Sequence, residues 1–147
     1  MILNELLSNI YLISALIGWF VAQLIKFTIY LIKHRSLDLK LFVASGGMPS
    51  SHSSFVVGLT GALGFDLGWG APITALSIVF ALVVMYDAAG VRRAAGKQAE
   101  ILNKLIFEDN TDKNLTEQRL KELIGHTPVE VLAGAILGFL VAYLVVF

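Results

Sequence analysis

Two short segments hold the residues of this chain whose types and spacing could do chemistry. Residues 45–54 have the sequence SGGMPSSHSS, and residues 125–130 have the sequence GHTPVE. Each segment places a histidine close to a proline at the start of a strongly apolar stretch. Burying an imidazole without a partner is costly, so histidines at the ends of two apolar helices need an explanation. The explanation that we favour is phosphoryl transfer at a membrane surface.

The first segment has the composition of a helix start that binds an anion. Its glycines allow a tight turn, and Pro49 then leads into Ser50 and Ser51, which suit a helix N-cap. A helix N-terminus presents free N–H groups and a positive dipole end, which suit a phosphate. His52 would lie in the first helical turn, beside the bound group. A capped membrane helix with a histidine at headgroup level explains the same residues, but the cluster of serine hydroxyls around His52 favours a site.

The second segment also has a structural and a functional interpretation. Thr127, Pro128 and Glu130 fit a capping box, with proline at the first helical position. Glu130 also lies one helical turn beyond His126, where a carboxylate could orient the imidazole and stabilise its cationic form. The sequence alone favours the cap, and it allows both roles at once.

Basic residues near these segments are candidate phosphate ligands. Lys26 lies within an apolar stretch, where a lysine either snorkels to the membrane surface or serves a site. Arg92 and Arg93 follow Asp87 closely, so one of them could form a plain salt bridge with it. Arginine pairs mark membrane topology, and they also grip phosphate oxygens in a bidentate manner. These alternatives stay open at the level of single residues.

The composition indicates a membrane protein. Hydrophobic residues make up 56% of the chain and charged residues 15%, and the mean hydropathy is +0.76. Such a chain has too little polar surface for a soluble domain of this length. The apolar segments cover residues 6–32, 52–67, 71–87 and 129–147. Crossing a bilayer takes about 20 helical residues, so the two middle segments would be short or tilted spans. We therefore predict one all-α membrane domain over residues 1–147, with about four transmembrane helices.

The basic residues predict how this domain lies in the membrane. Ten of the eleven Lys and Arg residues lie in the first and third connections between apolar segments. The positive-inside rule places both connections in the cytoplasm and both termini outside it. The third connection, residues 88–125, is predicted to be a cytoplasmic helical insertion. It contains an amphipathic helix at 91–105, a polar turn and a short helix at 115–124.

Four motifs occurring in order resemble the divergent PAP2 family, small membrane proteins related to acid phosphatases and vanadium-dependent haloperoxidases. The motifs are GGMPSSHS, MYDAAGVRR, QAEILN and GHTPVEV, and they span most of the chain. Ordinary PAP2 phosphatases carry Lys-x6-Arg-Pro, then Pro-Ser-Gly-His, then Ser-Arg-x5-His-x3-Asp. Here Ser51 replaces the glycine of the second motif. His126 and Glu130 match the end of the third motif, with glutamate replacing aspartate.

The chain departs from the PAP2 pattern at its phosphate-binding residues. No Lys-x6-Arg-Pro is present, and Lys26 is the candidate to replace its lysine. Leu120 occupies the position of the arginine in the third motif. Arg92 and Arg93 resemble that arginine displaced by an insertion, and Lys121 or Arg119 could reach the site from the inserted helix.

The resemblance implies a lipid phosphate or diphosphate phosphatase that uses no metal and no other cofactor. His126 would be the nucleophile that forms a phosphohistidine, Glu130 would orient it, and His52 would protonate the leaving group. The residues expected to bind the phosphate are Lys26, Arg92, Arg93, Lys121, Ser50 and Ser51.

The alternative is a non-catalytic PAP2-like protein that binds phospholipid headgroups or serves as an assembly or transport subunit. The missing Lys-x6-Arg-Pro favours it. We expect the bilayer and a phosphorylated lipid as partners, no nucleic acid, and a multi-pass location in a prokaryotic plasma membrane with the site facing the cytoplasm. Glycines in the second and fourth apolar segments predict close helix packing, either within one subunit or in a homo-oligomer. They are Gly58, Gly61, Gly64, Gly134 and Gly138.

Overall fold

The computed structural model describes residues 2–34, 47–107 and 125–147. The helices in order are α1 (Ile2–Leu7), α2 (Ile10–His34), α3 (Ser51–Leu67), α4 (Pro72–Ala89), α5 (Val91–Phe107) and α6 (Pro128–Val146). The described residues contain no strand, so the predicted all-α class is confirmed. Residues 115–124, predicted to form a short helix containing Arg119 and Lys121, lie outside the described residues.

Helix α3 forms the centre of the bundle and packs against α2, α4 and α6. It can approach α6 closely because both helices present glycine at the contact. A Cβ added to Gly134 would lie 2.2 Å from the Ser50 carbonyl oxygen, and one added to Gly138 would lie 2.3 Å from that of Ser54. Likewise, a Cβ on Gly61 would lie 2.7 Å from Ala142 Cβ. These glycine faces therefore meet within one chain.

Buried hydroxyl groups join the helices on the other sides of α3. Ser14 Oγ of α2 donates to the Gly58 carbonyl at 3.0 Å, and Ser54 Oγ donates to the Gly18 carbonyl at 2.8 Å. Thr60 and Ser77 link α3 to α4 through their hydroxyls at 2.7 Å. Bonds of this kind between membrane helices contribute on average about 0.6 kcal/mol each. They explain why the central helix is rich in serine, threonine and glycine rather than leucine.

The outer surface of the bundle is apolar, and its interior contains many small and polar side chains, which differs from the distribution in a soluble protein. Leu76 is 64% exposed and Leu144 is 76% exposed, whereas Ser14, Thr74 and Lys26 are buried. Three stretches are long and apolar enough to cross a membrane, namely Ile10–Lys33, Pro72–Leu105 and Pro128–Val146. Helix α3 has 17 residues and is largely enclosed by its neighbours. Its role as a fourth span and the cytoplasmic position of the insertion stay predictions.

Both histidine segments lie at the same end of the bundle. The backbone N–H of Ser50 donates to the Glu130 carbonyl at 3.0 Å, which joins the start of α3 to the start of α6. The backbone N–H of His126 donates to the Ala88 carbonyl at 3.0 Å, which joins the start of α6 to the end of α4. At the opposite end, the ring of Phe65 packs against aromatic rings of α6. The candidate site is thus built from helix ends that backbone hydrogen bonds hold together.

Candidate functional site

Helix α3 begins as the sequence predicts, with serine caps. Ser50 is the N-cap, and its Oγ accepts hydrogen bonds from the backbone N–H of Ser53 at 3.3 Å and from Ser53 Oγ at 3.0 Å. Ser50 and Ser51 are both buried. The first N–H groups of a helix have no acceptor within it, and the cap takes only that of Ser53. The N–H groups of Ser51 and His52 are therefore the ones that can face an anion at this helix start.

Helix α6 begins with the predicted capping box. Thr127 Oγ1 accepts from the Glu130 backbone N–H at 3.3 Å, and Glu130 Oε2 accepts from the Thr127 N–H at 2.9 Å. The Glu130 carboxylate therefore serves the cap. Within the described residues it makes no hydrogen bond to either ring nitrogen of His126. Any influence of Glu130 on His126 in this conformation is through charge.

His126 is the most enclosed ionisable group of the site. Its side chain is 2% exposed, and neither Nδ1 nor Nε2 has a hydrogen-bond partner among the described residues. The preceding residue, Gly125, packs directly against the backbone of Arg93, because a Cβ there would lie 2.3 Å from the N and Cα atoms of Arg93. Buried ring nitrogens without partners are uncommon in proteins, and they call for a functional explanation.

The second histidine lies beside the first. The ring centroids of His52 and His126 are 6.2 Å apart, and the ring planes meet at 72°. His52 is exposed, whereas His126 is buried. The pair therefore combines one enclosed imidazole with one imidazole that reaches the surface.

Lys26 of α2 completes the centre of the site. It is 7% exposed, and its Nζ has no partner in the part of the chain that the structure describes. Its Cγ and Cδ lie 3.5 and 3.6 Å from the position that a Cβ on Gly47 would occupy. Gly47 has a φ of +81°, a left-handed conformation that favours glycine. Lys26 thus packs beneath the turn before Pro49, and its ammonium is enclosed by the protein.

The surroundings of His126 favour its neutral form. Burial lowers the pKa of the His126 imidazole below its ordinary value, and the positive charge of Lys26 lowers it further. The Glu130 carboxylate opposes both effects by raising the pKa of His126, and its effect is smaller than either. A neutral imidazole at pH 7 has a free lone pair, which a nucleophile requires.

Arg92 lies at the edge of the site, and its side chain forms an ion pair with Asp87. Its Nε donates to Asp87 Oδ2 at 2.6 Å, and both side chains are partly exposed. This contact leaves the two terminal nitrogens of the guanidinium for a second ligand. Arg93 supports Gly125 through its backbone. Lys121 lies outside the described residues.

Within the described residues, no group of three or more His, Cys, Asp or Glu side chains could hold a metal ion.

Two contacts of the site were missed by reasoning from the sequence. One is the carbonyl of Ala88, which fixes the backbone of His126. The other is the contact of Gly47 with Lys26, for which the glycine pair at 46–47 was the one available sign. Both are contacts between segments far apart in the chain, and a motif records only local spacing.

Comparison with known proteins agrees with the motifs. The model of the divergent PAP2 family matches residues 7–141. The chain belongs to the divergent PAP2 family. It is also similar to the uncharacterized membrane protein YuiD of Bacillus subtilis strain 168, with 41% identity over 92% of this chain and 93% of that protein. No solved structure matches the chain. Together with its apolar helices, these findings make the chain an integral membrane protein of this family.

Proposed function

We propose that the protein is a membrane-embedded phosphatase that hydrolyses lipid phosphates or diphosphates through a phosphohistidine. One observation carries the proposal. A buried His126, with both ring nitrogens unpaired among the described residues, lies 6.2 Å from His52 between ring centroids, next to the buried Lys26. A nucleophile, a proton donor and a cation within one small volume are what phosphoryl transfer without a metal requires.

In the first step, neutral His126 attacks phosphorus, and a nitrogen–phosphorus bond forms as the bond to the leaving oxygen breaks. Protonated His52 gives its proton to that oxygen, so a lipid alcohol leaves neutral and a lipid phosphate leaves with one negative charge fewer. Loss of His52 should therefore matter most for poor leaving groups.

In the second step, neutral His52 takes a proton from a water molecule, which attacks the phosphorus. The nitrogen–phosphorus bond breaks, inorganic phosphate is released, and His126 returns to its neutral form. Lys26, Arg92 and the N–H groups of Ser51 and His52 balance the negative charge on the equatorial oxygens in both steps. We expect no metal to be needed.

The apolar surface beside the site supports a lipid substrate. Helix α2 continues beyond Lys26, and Ile29 and Ile32 in that part are 49% and 74% exposed. Acyl or prenyl chains could remain against such residues while the phosphate reaches the histidines. Because the predicted basic connections leave from this end of the bundle, we place the site at the cytoplasmic leaflet.

A second candidate function is phosphate or headgroup binding without turnover. It is favoured by the engagement of Glu130 in the cap, which leaves His126 without a hydrogen-bonded orienting carboxylate among the described residues. In this case the same residues would bind the phosphate, and the protein would act as a binding or assembly subunit.

Phosphate release from lipid monophosphates and diphosphates, with the purified protein in detergent and a chelator present, tests the proposal. We expect turnover that His126→Ala reduces by at least about a thousandfold. Tyr143→Phe is the control, because it changes a residue of α6 that packs against Phe65 at the opposite end of the bundle. Turnover that persists in His126→Ala would overturn the mechanism. Vanadate binding without turnover would favour the second candidate.

A further inference from the structure

Helix α5 carries a basic stripe beside an exposed apolar stripe. Arg93, Lys97 and Lys104 are spaced by four and seven residues, which places them on one side of the helix. Ile101 and Leu105 lie on the adjoining side and are 58% and 57% exposed. The helix therefore presents uncovered apolar side chains directly next to positive charge.

The apolar stripe continues around the helix and faces away from its packing contacts. Val91 and Leu102 extend it, and both are exposed. Buried positions of α5 lie on a different side, at Ala99 and Asn103. Among the described helices, α5 packs mainly against α4.

We infer that α5 lies in the membrane surface at the end of the bundle that holds the histidines, and that it binds anionic lipid headgroups there. An amphipathic helix buries its apolar face at the boundary of headgroups and acyl chains, where flanking lysines reach the headgroup phosphates. Charge complementarity selects the anionic lipid as the occupant. Helix α5 has four basic side chains and one acidic one, Glu100, which pairs with Lys104 at 2.8 Å.

This surface is joined to the candidate site through the start of α5. The backbone of Arg92 and Arg93 contacts Gly125, which directly precedes His126. A displacement of α5 would therefore shift the backbone at Gly125 and, with it, the position of His126. The lipid surface itself does not depend on the proposed catalysis, and its tests measure lipid contact rather than turnover.

The position of α5 can be measured with single cysteines, because the chain has none of its own. Ile101→Cys places a fluorophore on the apolar stripe, and Glu100→Cys places one on the basic stripe, about 100° around the helix. Leu76→Cys on α4 serves as a lipid-exposed reference. In nanodiscs that contain phosphatidylglycerol, we expect spin-labelled lipid to quench the label at 101 nearly as well as that at 76. Aqueous iodide should quench the label at 100. Equal iodide quenching at 100 and 101 would overturn the inference.

The preference for anionic lipid tests the basic stripe. The double variant Lys97→Gln/Lys104→Gln removes two lysines of the stripe. The association of spin-labelled phosphatidylglycerol, measured relative to phosphatidylcholine, should fall about fivefold for each lysine removed. Glu100→Gln, the control of opposite charge, should raise the preference. An unchanged preference in the lysine variant would overturn the inference. So would an Ile101→Cys label that is protected only as protein concentration rises, because that result identifies a second copy as the occupant.

Discussion

The ammonium of Lys26 has an unusual environment. It is buried near His126, whose pKa its charge lowers, and no described residue accepts a hydrogen bond from it. A buried charge without a partner costs free energy, so a protein keeps one where a ligand of opposite charge requires it. The packing of its aliphatic part beneath Gly47 holds the charge in place before any ligand arrives.

Replacing Lys26 with methionine should move activity and stability in opposite directions. Methionine keeps the chain length and removes the charge. Turnover should therefore fall by at least about a hundredfold, while unfolding becomes harder by roughly 1 kcal/mol or more. Phosphate release and thermal unfolding in detergent measure the two effects. Lys33→Met, a change at an exposed position of the same helix, should alter neither strongly. A Lys26→Met protein that keeps full turnover would remove Lys26 from the phosphate site.

The lowered pKa of His126 predicts how stability depends on pH. Because burial lowers the pKa of His126 in the folded protein, its stabilising contribution is fully present above the ordinary value of 6.5. That contribution is lost as pH falls from there towards the folded-state pKa, by up to about 1.4 kcal/mol per pH unit. Thermal unfolding between pH 7 and 5 should therefore show a steeper loss for the native protein than for His126→Gln. Parallel profiles would contradict a neutral, buried His126.

At the scale of elements, the site depends on the close contact of α3 with α6. Gly134 lies against the Ser50 carbonyl, and Gly138 lies against that of Ser54. Ser50 is the N-cap of α3, and the first turn of that helix contains His52. The glycines of α6 therefore set the distance between the two histidine segments as well as the packing of the bundle.

Gly134→Ala should separate the two helices and damage the site. The added Cβ would lie 2.2 Å from backbone oxygen, which cannot move as a flexible side chain can. We expect a loss of stability of about 1–3 kcal/mol and a larger loss of phosphate or vanadate binding. Gly70→Ala is the control, because nothing lies within 4 Å of a Cβ there. Equal stability of the two variants would show that the helices are not in the close contact described.

Features of the site that depend on neighbouring residues could be predicted from the sequence, whereas contacts between distant segments could not. The N-cap at Ser50 and the capping box at Thr127 could be predicted because each depends on neighbouring residues. The central position of α3 could not be predicted, because hydropathy gives the length of an apolar segment but not which helices enclose it. The sequence left open whether Arg92 or Arg93 pairs with Asp87, and only the folded chain selects Arg92. For the same reason the glycine faces could not be assigned to one chain from sequence.

At the scale of the whole molecule, polarity is arranged along the bundle as well as across it. Histidines, Lys26 and Arg92 lie at one end, and the aromatic cluster around Phe65 lies at the other. The two predicted basic connections leave from the first end, and the last residue, Phe147, packs against Phe65 at the second.

This arrangement predicts the orientation of the protein in the membrane. With the basic connections held in the cytoplasm, a reporter fused after Phe147 should behave as extracytoplasmic. Paired reporters that are active on only one side of the membrane measure this, and a fusion within residues 108–124 is the cytoplasmic control. A cytoplasmic reporter at Phe147 would move the site to the outer leaflet.

Trapping of the covalent intermediate decides whether His126 is the nucleophile. The protein is mixed with a lipid phosphate carrying labelled phosphorus, in the presence of a chelator, and is quenched in alkali before analysis by peptide mass spectrometry. We predict a phosphoryl group on His126, which is absent in His126→Ala and persists longer in His52→Ala because hydrolysis then lacks its base. Turnover of substrate with no label on His126 at any quench time would rule out a phosphohistidine intermediate at this residue.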